Sequence, residues 1–178
     1  GSRDGTGELI RKACENDPRF TGIHLSRDFG HQQAVSAGLR YSRGAAVAVI
    51  DGDLQDPPEL IKDFYAKHRE GYDVVYAVRT QRKEGWFLRT CYATFYRILD
   101  KLTPLPIPLD SGDFGLMSRR VVDLITSMPE HHRFVRGLRA YVGFPTAGVE
   151  YERHDRASGT PKYTFRKLLG LAMDGIFT

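Results

Sequence analysis

The sequence predicts an α/β fold in which a mostly parallel sheet is flanked by helices. Two observations support this prediction: apolar runs with strand composition alternate with segments of helical periodicity, and turn residues separate them. Strands are expected at 20–25, 45–50 and 73–78, and helices at 31–41 and 59–70. A strand–helix–strand unit normally returns to the same sheet in the same direction, so this order favours parallel strands with helices on both faces.

The strand at 45–50 is an unbroken apolar run followed at once by polar residues, as expected for a strand buried on both faces. Asp51 and Asp53 come directly after it, and side chains two residues apart in an extended chain point the same way. Two such carboxylates suit Mg²⁺ or Mn²⁺, which keep positions for water and phosphate oxygens. Aspartates also favour turns because they bond to nearby backbone N–H groups. The position after a buried strand, followed by Leu54-Gln55-Asp56-Pro57-Pro58-Glu59, favours the metal interpretation.

The remaining elements are expected from shorter patterns. A helix is predicted at 7–16, a helix or strand at 121–127, a helix with a basic edge at 134–144 and a strand at 149–151. Gly112 and Gly115 permit tight backbone geometry around Asp113. Asp113 is therefore a candidate site residue, and a purely structural, turn-capping role stays equally open.

Composition limits the function classes. The 178 residues fit one globular domain, and a formal charge of +4 is too small and too dispersed to favour nucleic acid as a partner. Cys14 and Cys91 are the only cysteines, which favours reduced thiols over a disulfide framework or a zinc site. No apolar stretch reaches the roughly 18–20 residues that span a bilayer.

Two segments have features of a membrane surface. Residues 86–102 mix aromatic and basic side chains in a helical pattern, and residues 164–178 carry an apolar stripe that follows Lys162. Each pattern is also typical of a helix that packs on its own core with a solvated basic face. We expect a catalytic domain at 1–163 and an interfacial helix at 164–178 that precedes a membrane-spanning region outside this chain.

Four stretches together resemble a known family. They are Gly1-Ser2-Arg3-Asp4-Gly5-Thr6, Asp51-Gly52-Asp53-Leu54-Gln55-Asp56-Pro57-Pro58-Glu59, Ser111-Gly112-Asp113-Phe114, and Arg156-Ala157-Ser158-Gly159 with Lys162-Tyr163. In this order they are similar to polyprenyl-phosphate glycosyltransferases of glycosyltransferase family 2, the dolichol-phosphate mannose synthase-like and bacterial undecaprenyl-phosphate sugar transferases. The resemblance implies a GT-A (Rossmann-like) fold. It also implies that the strands with which family members usually begin are absent from this sequence.

The resemblance further implies metal-dependent, inverting transfer of a hexose from a UDP- or GDP-sugar to a polyprenyl phosphate. Asp113 and Asp53 are then the catalytic candidates, and the metal ligands are Asp51, Asp53 and Gln55. The donor would be bound by Ser2, Asp28, Asp51 and Asp53. A phosphate monoester is already largely dianionic at neutral pH, so Asp113 is as well suited to orient a sugar or phosphate as to act as a base.

Basic residues are the candidates for binding the lipid phosphate, because a guanidinium can bind phosphate through two N–H groups. We expect this role for Arg79, Arg82, Arg89, Arg156, Ser158 and Lys162. The resemblance places the enzyme at the cytoplasmic face of a cell membrane, in bacteria the inner membrane, and leaves homo-oligomer formation open. The alternatives are a family 2 enzyme with a sugar or protein acceptor, and an inactive module that binds nucleotide and metal at a membrane. The sugar, the base and the prenyl length are not determined by these residues.

Overall fold

The computed structural model describes residues 4–80, 111–130 and 133–152. The helices are α1 (Thr6–Asn16), α2 (His31–Tyr41), α3 (Ile61–Arg69), α4 (Arg119–Ser127) and α5 (Val135–Tyr141), and a 3₁₀ turn at Pro58–Leu60 leads into α3. The strands are β1 (Ala46–Val49), β2 (Val74–Arg79), β3 (Ser111–Ser118) and β4 (Thr146–Tyr151). None of the helices in these ranges is both long and apolar enough to cross a bilayer.

The described strands form one mixed sheet in the order β1–β3–β2–β4. β4 pairs with β2 in parallel, whereas β3 lies between β1 and β2 and runs antiparallel to both. The expectation of a mostly parallel sheet is therefore inexact, although the α/β class is confirmed. The alternation of strands and helices predicts parallel pairs, but an antiparallel strand needs no crossover helix and leaves no such signal.

Apolar side chains alternate along the central strands and form a core on each face of the sheet. Val74 and Met117 face the layer that contains α2, α4 and α5, while Val75 and Leu116 face α3. Phe64 of α3 packs edge-on against Phe114 of β3, with ring centroids 4.9 Å apart. This arrangement follows from the two-residue repeat of a strand, which sends neighbouring side chains to opposite faces.

Most of the expected elements are observed close to their predicted bounds. Helix α2 begins and ends as predicted, and residues 121–127 lie in a helix. The strand expected at 20–25 is wrong, because this segment has no strand partner and exposes 58% of Phe20. Within the described part of the chain, nothing pairs with the outer edge of β1. Without ladder hydrogen bonds, an extended apolar segment does not become a strand.

The segment around Asp113, expected to have tight turn-like geometry, is instead the central strand β3. Two glycines of β3 allow neighbouring groups to lie close to the strand. A Cβ at Gly115 would lie 2.5 Å from the carbonyl oxygen of Val75, and a Cβ at Gly112 would lie 3.1 Å from Nη2 of Arg79. Gly115 therefore allows β2 and β3 to pair closely, and Gly112 leaves room for the Arg79 guanidinium.

Candidate active site

One edge of the sheet gathers most of the described candidate residues. The pairing of Val49 with Gly115, of Val78 with Ser111 and of Arg79 with Tyr151 brings three carboxyl ends of strands to the amino end of β3. The acidic loop 51–56 follows β1 at this edge, and Asp113 is the third residue of β3. In α/β sheets, ligands bind at such carboxyl ends.

Asp113 lies at the centre of a polar network, and only 11% of its side chain is exposed. Nε2 of His31 lies 3.0 Å from Oδ2 of Asp113, and Nε2 of Gln32 donates to the same oxygen at 3.3 Å. Nη2 of Arg136 is 3.6 Å from Oδ1 of Asp113. Gln32 also accepts the backbone N–H of Val135 at 2.9 Å, which ties the first turn of α2 to that of α5.

The charges around Asp113 keep it ionised. Burial by itself raises the pKa of Asp113, but the hydrogen bond with His31 and the charges of Arg136 and Arg139 outweigh it and lower the pKa to about 2. The pKa of His31 is raised, chiefly by the hydrogen bond with Asp113 and to a smaller extent by the charge of Asp51. The pair therefore favours an imidazolium and a carboxylate together.

Arg139 supports Asp113 from within the core. It is 5% exposed, and its guanidinium donates to the carbonyl oxygens of Gly112 at 2.9 Å and Asp113 at 3.4 Å. A Cβ at Gly115 would lie 3.3 Å from Nη1 of Arg139, so the missing side chain makes room for this cation. Burial lowers the pKa of Arg139 to about 10, which still leaves it charged at neutral pH.

Two polar atoms of this network have no hydrogen-bond partner among the described residues. Within the described ranges, Oδ1 of Asp113 and Nε of Arg136 are buried and have no hydrogen-bond partner. Buried polar groups are normally paired, and unpaired ones are found where a ligand, ion or water completes the site. Oδ2 of Asp113 is therefore hydrogen-bonded by the protein, whereas Oδ1 has the guanidinium of Arg136 nearby at 3.6 Å and no hydrogen bond within the described ranges.

The acidic loop places several carboxylates within electrostatic range of one another. Burial raises the pKa of Asp51; His31 opposes this rise, and Asp113, Asp56 and Asp53 add to it. Oδ1 of Asp53 accepts the backbone N–H of Gln55 at 3.2 Å, so Asp53 also stabilises the turn of this loop. In the part of the chain that the structure describes, no three His, Cys, Asp or Glu side chains are grouped closely enough to hold a metal by themselves.

A second hydrogen-bond chain joins the acidic loop to β2 and β4. The hydroxyl of Tyr151 donates to Oδ1 of Asp56 at 2.5 Å and accepts from Nε of Arg79 at 3.4 Å. Asp56 and Tyr151 are 2% and 7% exposed. The end of β4 therefore contacts both the acidic loop and the arginine that was expected to bind the acceptor phosphate.

The remaining predicted residues lie away from this network or outside the described ranges. Asp28 accepts the backbone N–H of Gly30 at 2.9 Å, just before α2, and among the described residues it is not part of the network around Asp113. The predicted site residues outside the described ranges are Ser2, Arg82, Arg89, Arg156, Ser158 and Lys162. Their roles, and the helix expected at 164–178, stay predictions.

Sequence reasoning did not identify several residues of the observed network. They are His31, Gln32, Asp56, Arg136, Arg139 and Tyr151. The spacing of Arg133, Arg136 and Arg139 indicates a basic helix edge. Arg139 is buried and Arg136 is half-buried, because α5 packs beside the amino end of β3. Arg133 lies before α5 and donates to the carbonyl oxygen of Met128 at 2.9 Å. The one sequence signal for this network is a helix that carries both apolar residues and regularly spaced arginines. That signal does not show which residues the arginines contact.

An α/β domain with carboxylates at the carboxyl edge of its sheet is typical of an enzyme that binds its ligand there. The model of glycosyl transferase family 2 matches residues 1–125. The chain therefore belongs to glycosyltransferase family 2.

Curated relatives match nearly all of the chain. The uncharacterized glycosyltransferase YkcC of Bacillus subtilis is 50% identical over 100% of the chain. The bactoprenol glucosyl transferase of Shigella phage SfV is 39% identical over 99% of the chain, as is a prophage bactoprenol glucosyl transferase homolog of Escherichia coli K12. The chain spans 55% of the first of these relatives and 58% of the other two.

Proposed function

We propose that this chain contributes the catalytic site of a glycosyltransferase that moves a hexose from a nucleotide diphosphate sugar to a polyprenyl phosphate. The observation that carries the proposal is the meeting of the acidic loop with Asp113 at one edge of the sheet. Relatives named bactoprenol glucosyl transferase, 39% identical over 99% of the chain, support a polyprenyl phosphate as the acceptor. We further propose that the enzyme acts at a membrane surface, where a polyprenyl phosphate would lie.

The donor set fits a divalent cation. Asp51 is half-buried among carboxylates whose charges disfavour its ionised form, and a bound cation would relieve that repulsion. Asp51, Asp53 and Gln55 would hold Mg²⁺ or Mn²⁺, since carboxylate and amide oxygens are suitable ligands. When bound, the metal would neutralise negative charge on the departing nucleoside diphosphate.

Inversion follows from a single displacement at the anomeric carbon. A phosphate oxygen of the lipid forms the new C–O bond while the bond to the nucleoside diphosphate breaks, and the electron pair leaves with the diphosphate. The lipid phosphate has a second pKa near ~6 and is mostly dianionic at neutral pH, so no proton has to be removed.

Asp113 is better suited to position a substrate than to act as a base. A general base works best when its pKa is near the working pH, and the pKa of Asp113 is about 2. Its Oδ1 would instead accept a hydrogen bond from a hydroxyl group of the sugar. A phosphate acceptor needs no base, so a positioning role for Asp113 is consistent with the proposed lipid phosphate acceptor.

Arg79 is the described residue proposed to contact the acceptor phosphate. It ends β2, and its guanidinium lies beside Gly112, next to Asp113. Arg82, Arg89, Arg156, Ser158 and Lys162 are proposed to complete this contact on the strength of the family resemblance alone.

The test uses the full-length natural protein with short-chain polyprenyl phosphate, Mg²⁺ or Mn²⁺, and radiolabelled UDP- and GDP-sugars. We expect one donor to label the organic phase. EDTA should abolish this labelling, and Asp53→Asn should lower it by at least about 100-fold because a charged metal ligand is lost. Asp63→Asn, an exposed carboxylate on α3, is the matched control and should retain activity.

Other outcomes of this experiment separate the alternatives. Full turnover of Asp53→Asn in saturating metal would contradict the metal assignment. Donor consumption with a sugar or protein acceptor, and none with the lipid, would show that the acceptor is not a polyprenyl phosphate. No turnover with any donor would indicate an inactive nucleotide-binding module.

A further inference from the structure

The hydrogen bond between Tyr151 and Asp56 links two elements that are distant in sequence. Tyr151 is the last residue of β4, and Asp56 ends the acidic loop three residues after Asp53. The donor and acceptor oxygens are 2.5 Å apart, and both residues are almost fully buried. A buried carboxyl group is costly without hydrogen-bond partners, so this contact strongly favours one position of the loop.

Ring packing and a hydrogen bond together hold the side chain of Tyr151 in place. Its ring lies edge-on to Phe114, with centroids 6.0 Å apart, and Phe114 directly follows Asp113 in β3. Burial and the hydrogen bond with Asp56 raise the pKa of Tyr151, so the phenol keeps its proton at neutral pH and remains a donor. A rigid aromatic ring with a polar tip is well suited to fix a neighbouring loop.

The loop needs such an anchor. Leu54, between Asp53 and Asp56, has φ 59°, and its side chain is 74% exposed. A leucine in the left-handed region is strained, and strained residues persist only when surrounding contacts determine the conformation. The exposed Leu54 residue supplies little packing, and the buried carboxyl group of Asp56 is one of the contacts that hold this end of the loop.

The same hydroxyl also contacts the opposite side of the site. It accepts a hydrogen bond from Nε of Arg79, the residue paired with Tyr151 across the sheet. Under the proposed function, Asp53 helps to bind the nucleotide sugar and Arg79 contacts the phosphate of the lipid acceptor. One phenol oxygen therefore contacts Arg79 directly and, through Asp56, the loop that carries Asp53.

We infer that Tyr151 and Asp56 are positioning residues that hold the acidic loop in the geometry needed to bind metal and nucleotide, and that align Arg79 with it. This inference rests on the proposed function. It assigns no contact between Tyr151 and the substrate. Its consequence is that loss of the Tyr151 hydroxyl weakens metal and donor use, beyond any effect on stability.

A matched control exists at the other end of β3. The hydroxyl of Ser118 donates to the buried carboxylate of Asp73 at 2.8 Å, as that of Tyr151 donates to Asp56. Ser118 is five residues from Asp113 along the strand, or about 17 Å at the usual rise per residue. Ser118→Ala and Tyr151→Phe each remove one buried hydroxyl, and only the second should affect the site.

The experiment uses the full-length protein and measures binding as well as turnover. Binding of Mn²⁺ in the presence of a nucleoside diphosphate is followed by electron paramagnetic resonance, and kcat and KM are measured for the donor and the lipid phosphate. We expect Tyr151→Phe to weaken Mn²⁺ binding and to lower kcat/KM for the donor, each by about tenfold, because small displacements of binding groups are costly. Ser118→Ala should stay within about twofold of the wild type in Mn²⁺ binding and in kcat/KM for the donor.

A double variant tests whether the two residues act together. Asp56→Ala should lower Mn²⁺ binding and donor kcat/KM at least as much as Tyr151→Phe does, and the variant with both changes should be no worse than Asp56→Ala, since the contact with Tyr151 is already lost in that single variant. Asp56→Asn keeps an oxygen that accepts from Tyr151 and should recover part of the loss. Additive losses would overturn the inference.

The remaining outcomes separate this inference from the proposed function. Equal Mn²⁺ binding and equal donor kinetics in wild type and Tyr151→Phe, with sugar transfer to the lipid intact, would overturn the inference and leave the function standing. Weaker Mn²⁺ binding by Tyr151→Phe, with no transfer to the lipid by the wild type, would overturn the function and support the inference.

Discussion

A largely buried carboxylate lies at each end of β3, Asp113 within the strand and Asp73 beside its last residue, and the two are satisfied to different degrees. At the carboxyl end, Asp73 accepts hydrogen bonds from Ser118 at 2.8 Å and from Arg120 on both of its oxygens. At the amino end, Asp113 is held through Oδ2, while Oδ1 has no hydrogen-bond partner within the described ranges. Both oxygens of Asp73 therefore have hydrogen-bond donors from the protein, whereas only one oxygen of Asp113 does within the described ranges.

This difference indicates different uses of the same chemical group. A buried carboxylate with donors on both of its oxygens fixes structure, because neither oxygen is left without a partner. A carboxylate surrounded by cations, with an oxygen left over, is ionised and ready to accept a further donor. We therefore expect changes at Asp73 to affect stability and changes at Asp113 to affect turnover.

The largest expected effect is on turnover. Asp113→Asn should lower lipid glycosylation by at least about 100-fold, because a neutral amide presents an N–H group where the site needs an anion. The pH–rate profile of the weakened enzyme should keep its shape near neutral pH, because the wild-type pKa of Asp113 is about 2. Steady-state kinetics across neutral pH provide the measurement.

Asp73→Asn is the control for this comparison. It should keep turnover per folded molecule within about twofold, while the free energy of unfolding falls by about 2 kcal/mol, since donors of Arg120 and Ser118 lose their partner. Loss of a neutral-pH limb of the rate profile in Asp113→Asn would instead assign Asp113 as a base.

The next effect is on the pH dependence of stability. The pKa of Asp73 and that of Asp113 are both lowered from 3.8, so each carboxylate stabilises the fold above its unfolded pKa and loses that contribution as pH falls through its folded pKa. For Asp113 the loss between 3.8 and about 2 is roughly 2 kcal/mol. Denaturant unfolding at a series of pH values measures it.

Asp113 is hydrogen-bonded to a histidine, His31, which gives the comparison a second test. The pKa of His31 is raised, so its contribution is complete below 6.5 and is lost as pH rises through the folded pKa. Wild type and Asp73→Asn should both show this alkaline loss, and Asp113→Asn should not. An alkaline loss that persists in Asp113→Asn would show that His31 does not depend on Asp113.

The smallest expected effect compares two arginines. Arg136→Lys should lower turnover by roughly tenfold, because a lysine loses the planar guanidinium beside the free oxygen of Asp113. Arg120→Lys changes the arginine that binds both oxygens of Asp73, and should leave turnover within about twofold while lowering the unfolding temperature. Steady-state kinetics and thermal unfolding of both variants measure this, and equal turnover in the two variants would remove the distinction between the ends of β3.

Much of the local structure can be predicted from the sequence. The periodicity of residues 31–41 predicts α2, and the apolar run before Asp51 predicts β1 with an acidic loop after it. These predictions succeed because neighbouring residues decide them. The strand expected at 20–25 fails for the converse reason, since a strand also requires a partner.

The sequence by itself determined the α/β class, the position of the acidic loop and the motif that contains Asp113. Tertiary structure decided that β3 runs antiparallel between β1 and β2, and that His31, Arg139 and Tyr151 contact residues 26 to 95 positions away. The physical reason is that hydrophobic periodicity records which face of an element is buried. It does not record which charged side chains meet there, because that depends on which strand ends the sheet brings together.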